Sequence, residues 1–332
     1  MMSRCFAALL LLCAAVVPAL AQEQQIRIGL GFGLAFLPLY VCEDLKLIEQ
    51  RAKAAHVELK VDFPRLMGAA QAQAEIASGS IDIAPFGTAP LLAAWDKGRG
   101  TPQQIFAVSG LTSLPLVLLS NQPDEQSIAD LKPSDRIAMP TLTAPQMQLL
   151  EMASEKAFGH YDRLRGQVVA MTHADAVDAL DGGAPAGKIT AYFSSPPYTQ
   201  LALRDANVHA ILKSTDVMKG KFSFLVLGAT KATVERQPQI SELVAGAIDD
   251  AARLIRDDPR RAAQIFLTHE PSGTLNGATA AAVIGDVKDE FGGAVYGVQA
   301  MAEFLSRRGE LKVPPKSWKD VVAPALLNSS SS

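Results

Sequence analysis

"IRIGLGFGLAFLPLYVCEDLKLIE", from Ile26 to Glu49, starts as a strand, passes a glycine-rich turn and closes as a helix. Gly29, Gly31 and Gly33 mark the turn. A dinucleotide-binding corner needs G-x-G-x-x-G there, the third glycine letting helix and strand pack closely. Counted from Gly29 the sixth residue is Leu34, and from Gly31 it is Phe36, so neither register supplies it. The acid expected about 20 residues further on is Glu49 at best, at the end of a helix and not of a second strand. The glycines read instead as a flexible strand exit into an apolar loop, "LAFLP", that starts the first helix.

Working outward, strand and helix patterns alternate. "VELKVDF" (Val57 to Phe63) has the period of two of a strand, and "GAAQAQAEIASG" is a helix ended by Gly79. "SIDIAPF", "IFAVSG" and "LPLVLLS" are strands, with the helix "TAPLLAAWDKG" after the first of them. After Ser120 the alternation restarts with the strand "DRIAMP" and the helix "TAPQMQLLEMASEKAFG". Then come "GQVVAMT", "HADAVDALDGG", "KITAYFSS", "SPPYTQLALRDA" and "VHAILKS". The last third reads as mainly helical, with Ile240, Leu243, Val244, Ala247, Ala251, Leu254 and Ile255 on one stripe. Such alternation predicts an α/β protein with mostly parallel sheets. The middle third reads as a unit inserted into another. Crossings near Thr112–Val117 and Lys219–Phe224 would then form a hinge.

The chain has 332 residues, 48% apolar and 20% charged, with a formal net charge of -3, which suits two domains and large cores. No basic block or stripe suggests nucleic acid or an electrostatic membrane contact. Arg4, the apolar run Phe6–Val17 and "ALA" (Ala19 to Ala21) read as a secretory signal peptide over residues 1–21, cut before Gln22. Its removal takes Cys5 and Cys13 and leaves Cys42 unpaired, a buried structural thiol in the apolar "LYVC" face.

One local echo stands out. "PFGTAPLLAAW" from Pro85 and "MPTLTAPQMQLL" from Met139 each pass from a short strand through Thr-Ala-Pro into a helix. Thr88 and Thr143 are placed as N-caps, and Pro90 and Pro145 in first turns, where a missing N–H is tolerated. Helix N-termini at the carboxyl ends of strands suit an anionic or hydrogen-bond-accepting ligand, and two facing across a cleft could grip one small molecule. Three matching residues can also arise without a shared role.

These residues resemble those of the periplasmic substrate-binding proteins of ABC transporters in the nitrate/sulfonate/taurine group, related to the thiamine-pyrimidine precursor binders. "LPLYVCEDLKLIE" resembles the apolar opening helix, with Leu47 where glycine is more usual. "QAEIASGSIDIAPFGTAPLLAA" resembles the segment carrying a spaced Gly and Asp, here Gly79 and Asp82. "SIADLKPSDRIAMP" is similar to the start of the second lobe, and "PQISELVAGAIDDAARLIRDDPRRAAQ" to the C-terminal helix pair. Thr190 departs from an expected Asp, and in "SPPY" Ser195 and Pro196 replace an aromatic and an acid, while Tyr198 remains.

The resemblance implies a two-lobed α/β periplasmic binding protein fold of type II. Lobe 1 would comprise residues 22–113 and 223–332, and lobe 2 residues 114–222. It implies a monomeric, periplasmic binding protein, not an enzyme, that needs no cofactor or metal and delivers a small molecule to an ABC permease with its ATPase. The implied ligand positions are Phe36, Leu37 and Pro38, then Arg65, Met67 and Gly68, then Gly87, Thr88 and Ala89. Thr141, Leu142 and Thr143, with Ser194, Ser195 and Tyr198, would face them.

Taken singly, Arg65 is either a clamp for a carboxylate or sulfonate, which Arg65→Ala would weaken tenfold or more, or a solvated loop residue. Phe36 and Tyr198 either enclose a ligand or pack the lobes. Ser194 and Ser195 either donate to ligand oxygens or make the turn before Pro196. His56, His160, His173, His209 and His269 are scattered, without metal-ligand spacing, and His160 and His173 read as solvated. An exported or pyrimidine-related small-molecule enzyme is the alternative, with a ligand-sensing module behind it.

Overall fold

The structure, a computed structural model, describes residues 24–182, 189–271 and 275–327. The segment 1–21 expected to be a signal peptide, with Cys5 and Cys13, and the tail at 328–332 lie outside these.

The chain runs β1 (Gln24–Arg27), α1 (Leu37–Leu45), α2 (Leu47–Ala54), β2 (Leu59–Asp62), α3 (Ala69–Ser78), β3 (Ile83–Phe86), α4 (Thr88–Lys97) and β4 (Ile105–Thr112). It then crosses into β5 (Val117–Ser120), β6 (Ile137–Met139), α5 (Pro145–Phe158), β7 (Val168–Ala170) and α6 (His173–Leu180). There follow β8 (Ala191–Ser194), α7 (Tyr198–Ala202), β9 (His209–Lys213) and α8 (Ser214–Met218). It returns through β10 (Leu225–Thr230) to α9 (Lys231–Arg236), α10 (Pro238–Asp257), α11 (Pro259–His269), α12 (Gly277–Asp286) and α13 (Val298–Arg307).

The sheets show a repeat. In one lobe β2 and β1 pair in parallel, and a parallel bridge from Ile28 to Ile83 joins them to β3, with β10 and β4 beyond, giving β2-β1-β3-β10-β4. The other lobe's sheet is β7-β6-β8-β5-β9. In each, the second, first and third strands of the unit come in that order, then a strand just past a crossing, then the fourth. That inserted strand, β10 or β5, is antiparallel to both neighbours. The sheets are therefore mixed, not mostly parallel. The crossings lie side by side: the Phe224 N–H donates to Thr112 O at 2.9 Å.

Local chemistry sets several boundaries. The helix expected from Pro38 to Gln50 breaks at Lys46, a left-handed residue (φ 53°), into α1 and α2. Gly79 and Gly159 end α3 and α5 in the left-handed region, where glycine has no Cβ penalty. On α10, Ile240, Leu243, Val244, Ala247, Ala251 and Ile255 are buried, with Leu254 only half-buried. Each buried Ile, Leu or Val there is worth about 1.5–3 kcal/mol over exposure. Cys42 is buried and free, with its Sγ 3.5 Å from Ala247 O, and burial pushes its thiol pKa up. Among the described residues no helix is long and apolar enough to cross a membrane.

Candidate functional site

Six strand-to-helix loops, three from each lobe, meet at the carboxyl ends of their strands. They are the β1–α1, β2–α3 and β3–α4 loops, facing β6–α5, β7–α6 and β8–α7. Between them lies a cleft of about 440 Å³. Phe32, Leu34, Phe36, Met67 and Phe224 give it apolar walls, and Thr141, Thr143, Gln146, His173, Ser195 and Tyr198 give it polar atoms. Among the described residues, none that lines it is Asp, Glu, Lys or Arg.

Electropositive character comes from the backbone. Gly68 and Ala69 bring the start of α3 to the cleft, Gly87 and Pro90 that of α4, and Ala144, Pro145 and Gln146 that of α5. None of the three helices has a side-chain cap. Pro90 and Pro145 carry no N–H, and the Met147 N–H donates to Ala144 O at 2.9 Å; the other first-turn N–H groups have no partner within the helix and carry the positive end of the dipole. The Thr-Ala-Pro echo works differently from the expectation. Gly87 and Ala144 occupy the N-cap positions, one residue outside the helices, so Thr88 and Thr143 do not cap. The buried Thr88 hydroxyl donates to Ser223 O at 2.6 Å, and the Thr143 hydroxyl lies 3.2 Å from that of Thr141. The two copies also follow a third strand in one lobe and a first strand in the other, so they are not equivalent in the repeat.

Of the residues singled out from sequence, Phe36, Met67, Gly68, Gly87, Thr141, Thr143, Ser195 and Tyr198 come together around this cleft. Leu37 and Pro38 are buried in α1, facing the core. Ala89 and Leu142 line a separate groove of about 840 Å³ beside α4, which shares Pro90 and Thr143 with the cleft but is bordered by the paired ions Glu151, Arg165 and Arg308. Ser194 is buried and turns away: its hydroxyl donates to Val117 O at 2.7 Å and lies 2.8 Å from that of Thr199.

Arg65 lies behind the wall, outside the cleft lining. Its guanidinium meets Glu43 at 3.2 Å and His269 Nδ1 at 2.6 Å, and stands 5.3 Å from the centre of the Tyr40 ring. His269 stacks on Tyr40 at 4.5 Å and reaches Asp44 through Nε2 at 2.8 Å. The Tyr40 hydroxyl donates to Glu270 at 2.5 Å, and Glu270 also accepts the Gly33 N–H at 2.7 Å. This cluster ties the β1–α1 and β2–α3 loops to the end of α11 and so holds one wall of the cleft in place. Burial and then Glu270 push the Tyr40 phenol pKa well above its ordinary range.

His173 is the residue the sequence misplaced. Far from being solvated, it lines the cleft at the start of α6. Its Nε2 is 3.1 Å from Ser195 Oγ, its Nδ1 meets the Tyr192 hydroxyl, and its ring stacks on Tyr198 at 5.1 Å. Burial lowers its pKa to about 4, so the ring is neutral near pH 7. Its contacts are 19 and 22 residues away in sequence, so only the sheet register that sets β8 beside β6 could have revealed them.

The opening glycines have a steric role. A Cβ on Gly31 would come within 2.4 Å of the Phe36 ring, and one on Gly29 within 2.4 Å of Leu66. The tip of the Phe36 ring can therefore press against the strand exit, and the ring becomes cleft wall.

No protein-family model matches the sequence, and no curated protein sequence matches it. Solved structures do. The periplasmic aliphatic sulphonate binding protein SsuA from Escherichia coli superposes with a TM-score of 0.66 and 16% identity, over 90% of this chain and 97% of its own. The alkanesulfonate-binding protein SsuA from Xanthomonas axonopodis pv. citri, bound to MOPS, gives 0.64 and 18%, over 91% and 97%. A DszB mutant in complex with biphenyl-2-sulfinic acid gives 0.58 and 13%, over 92% and 98%. With two mixed sheets in the order seen here and a cleft at the carboxyl ends of their strands, the chain has the two-lobed, type II fold of the periplasmic binding proteins.

Proposed function

We propose that the chain is an exported, periplasmic solute-binding protein of the nitrate/sulfonate/taurine kind. It captures a small organic anion with an apolar body between its lobes and delivers it to an ABC permease and its ATPase. The observation that carries this reading is the cleft itself: three uncapped helix N-termini open onto walls that are apolar and without formal charge. Backbone N–H groups at helix starts bind anions without a counter-charge, because they are fixed and desolvated in advance. An oxyanion head would sit there, with its tail against Phe36, Met67 and Phe224. The sulfonate and sulfinate ligands of structurally similar proteins support a sulfur oxyacid as the first class to try.

Calorimetric titration with alkanesulfonates of increasing length tests this. Affinity should rise about fourfold per methylene while the tail is being buried, from about 0.8 kcal/mol per CH₂. Absence of binding across sulfonates and carboxylates, with nothing released from the purified protein on denaturation, would sink the reading. A second reading takes Ser195 as a nucleophile and His173 as its base, from their 3.1 Å separation. Turnover of activated esters, lost in Ser195→Ala, would favour it.

A further inference from the structure

Ser195, His173 and Tyr192 form a continuous hydrogen-bonded line from the cleft into the five-stranded sheet. A neutral imidazole has one donor nitrogen and one acceptor nitrogen, so the line has only two possible directions. Tyr192 decides between them. It is fully buried, and among the described residues its hydroxyl has His173 Nδ1 as its partner. A buried O–H that donates to nothing carries its full desolvation penalty, so the phenol donates to Nδ1. Burial also raises the phenol pKa, which keeps that proton in place, and leaves the His173 ring neutral.

The rest of the line follows. Nδ1 accepts, Nε2 carries the ring proton, and Nε2–H donates to Ser195 Oγ. The hydroxyl hydrogen of Ser195 is then free of His173 and available to the cleft. Tyr198, stacked on the imidazole, holds the ring in the plane that this needs.

We propose that Tyr192 and His173 fix Ser195 as a hydrogen-bond donor to the ligand, so that this wall favours an acceptor oxygen over an amine or ammonium group. The proposal rests on the solute-binding reading above and adds a selectivity element to the same cleft. It also counts against the enzymatic alternative, because in this tautomer Nε2 already holds a proton and is not poised to take one from Ser195.

The test has two arms. In ¹⁵N-histidine NMR of the ligand-free protein, His173 should appear as the Nε2–H tautomer, and Tyr192→Phe should give a mixture. In titrations with 1-hexanesulfonate and with hexylammonium, the wild type should bind the sulfonate more tightly. Ser195→Ala should weaken sulfonate binding about tenfold, the scale of a hydrogen bond to a charged group. An Nδ1–H tautomer in the wild type, undiminished affinity in Ser195→Ala, or labelling of Ser195 by a phosphonofluoridate would each overturn the proposal. If neither hexane derivative binds but the Nε2–H tautomer is present, the sulfonate reading falls and the donor assignment of Ser195 stands.

Discussion

His173 shows what one side chain can do when sheet register brings it partners from far along the chain. Its pKa of about 4 in the folded protein lies below the roughly 6.5 of an unfolded histidine, so between those values the unfolded chain binds the extra proton. The corresponding stability is present above about pH 6.5 and is lost as pH falls toward 4. On the order of 3 kcal/mol is at stake. Urea titrations at pH 7 and pH 4.5 should show a larger loss for the wild type than for His173→Gln, and equal losses would contradict the burial of the ring. Arg65 makes a different point. Its type and its place in a loop were legible as a candidate clamp. The structure engages it with Glu43, His269 and Tyr40, residues of α1 and of the end of α11 that no local spacing connects. We therefore expect Arg65→Ala to lower stability by about 1 kcal/mol, as for a half-exposed ion pair with a ring contact, and to weaken sulfonate binding less than Ser195→Ala does. Thermal denaturation and calorimetry of the two variants would decide, and the reverse order would put Arg65 back at the ligand.

At the scale of elements, periodicity located most strands and helices because each buries one face of a repeating pattern. Two failures have physical causes. β10 was not read as a strand: Gly228 interrupts its apolar run, and its two partners are brought to it only by the return crossing. The break at Lys46 is not legible because lysine is not a usual left-handed residue, and nothing in the local spacing marks it. Gly110 of β4 gives a sharp test of how closely the segment at 292–294 packs on the sheet. Its N–H donates to Gly293 O at 2.7 Å, and a Cβ there would stand 2.0 Å from Ala294 O. Backbone cannot step aside as a side-chain tip can, so Gly110→Ala should destabilise by about 2–3 kcal/mol or more. A change below 0.5 kcal/mol in chemical denaturation would show that the segment over β4 is loosely held.

For the whole molecule, the two-lobed plan was legible from the restart of the alternation after Ser120, and the repeat of strand order explains why the cleft has three loops on each side. What sequence did not show is how the lobes touch beyond the cleft. Glu151 on α5 is buried and paired with Arg308 just past α13, while Glu155 on α5 meets Arg307 on α13 at 2.6 Å. α13 packs on α4, so these ions link one lobe to the other. Breaking such a buried pair costs about 3 kcal/mol, and Glu151→Gln should shift the ligand-free protein toward an open form. Small-angle scattering should then record a larger radius of gyration and titration a weaker apparent affinity, and an unchanged radius would mean the ions do not hold the lobes together.

The cleft lining without formal charge has one more consequence. Mobile ions screen exposed charges over about 8 Å at physiological salt, but act much less on groups desolvated inside a protein. A site built from helix N–H groups and Ser195 should therefore hold a sulfonate almost as well in sea-strength brine as in dilute buffer. The protein would then be tuned to the ligand's concentration and not to the ionic strength around it. Dissociation constants measured from 20 mM to 500 mM sodium chloride should fall within about threefold of each other; a steep decline in affinity would reveal that exposed cations outside the lining do the capturing.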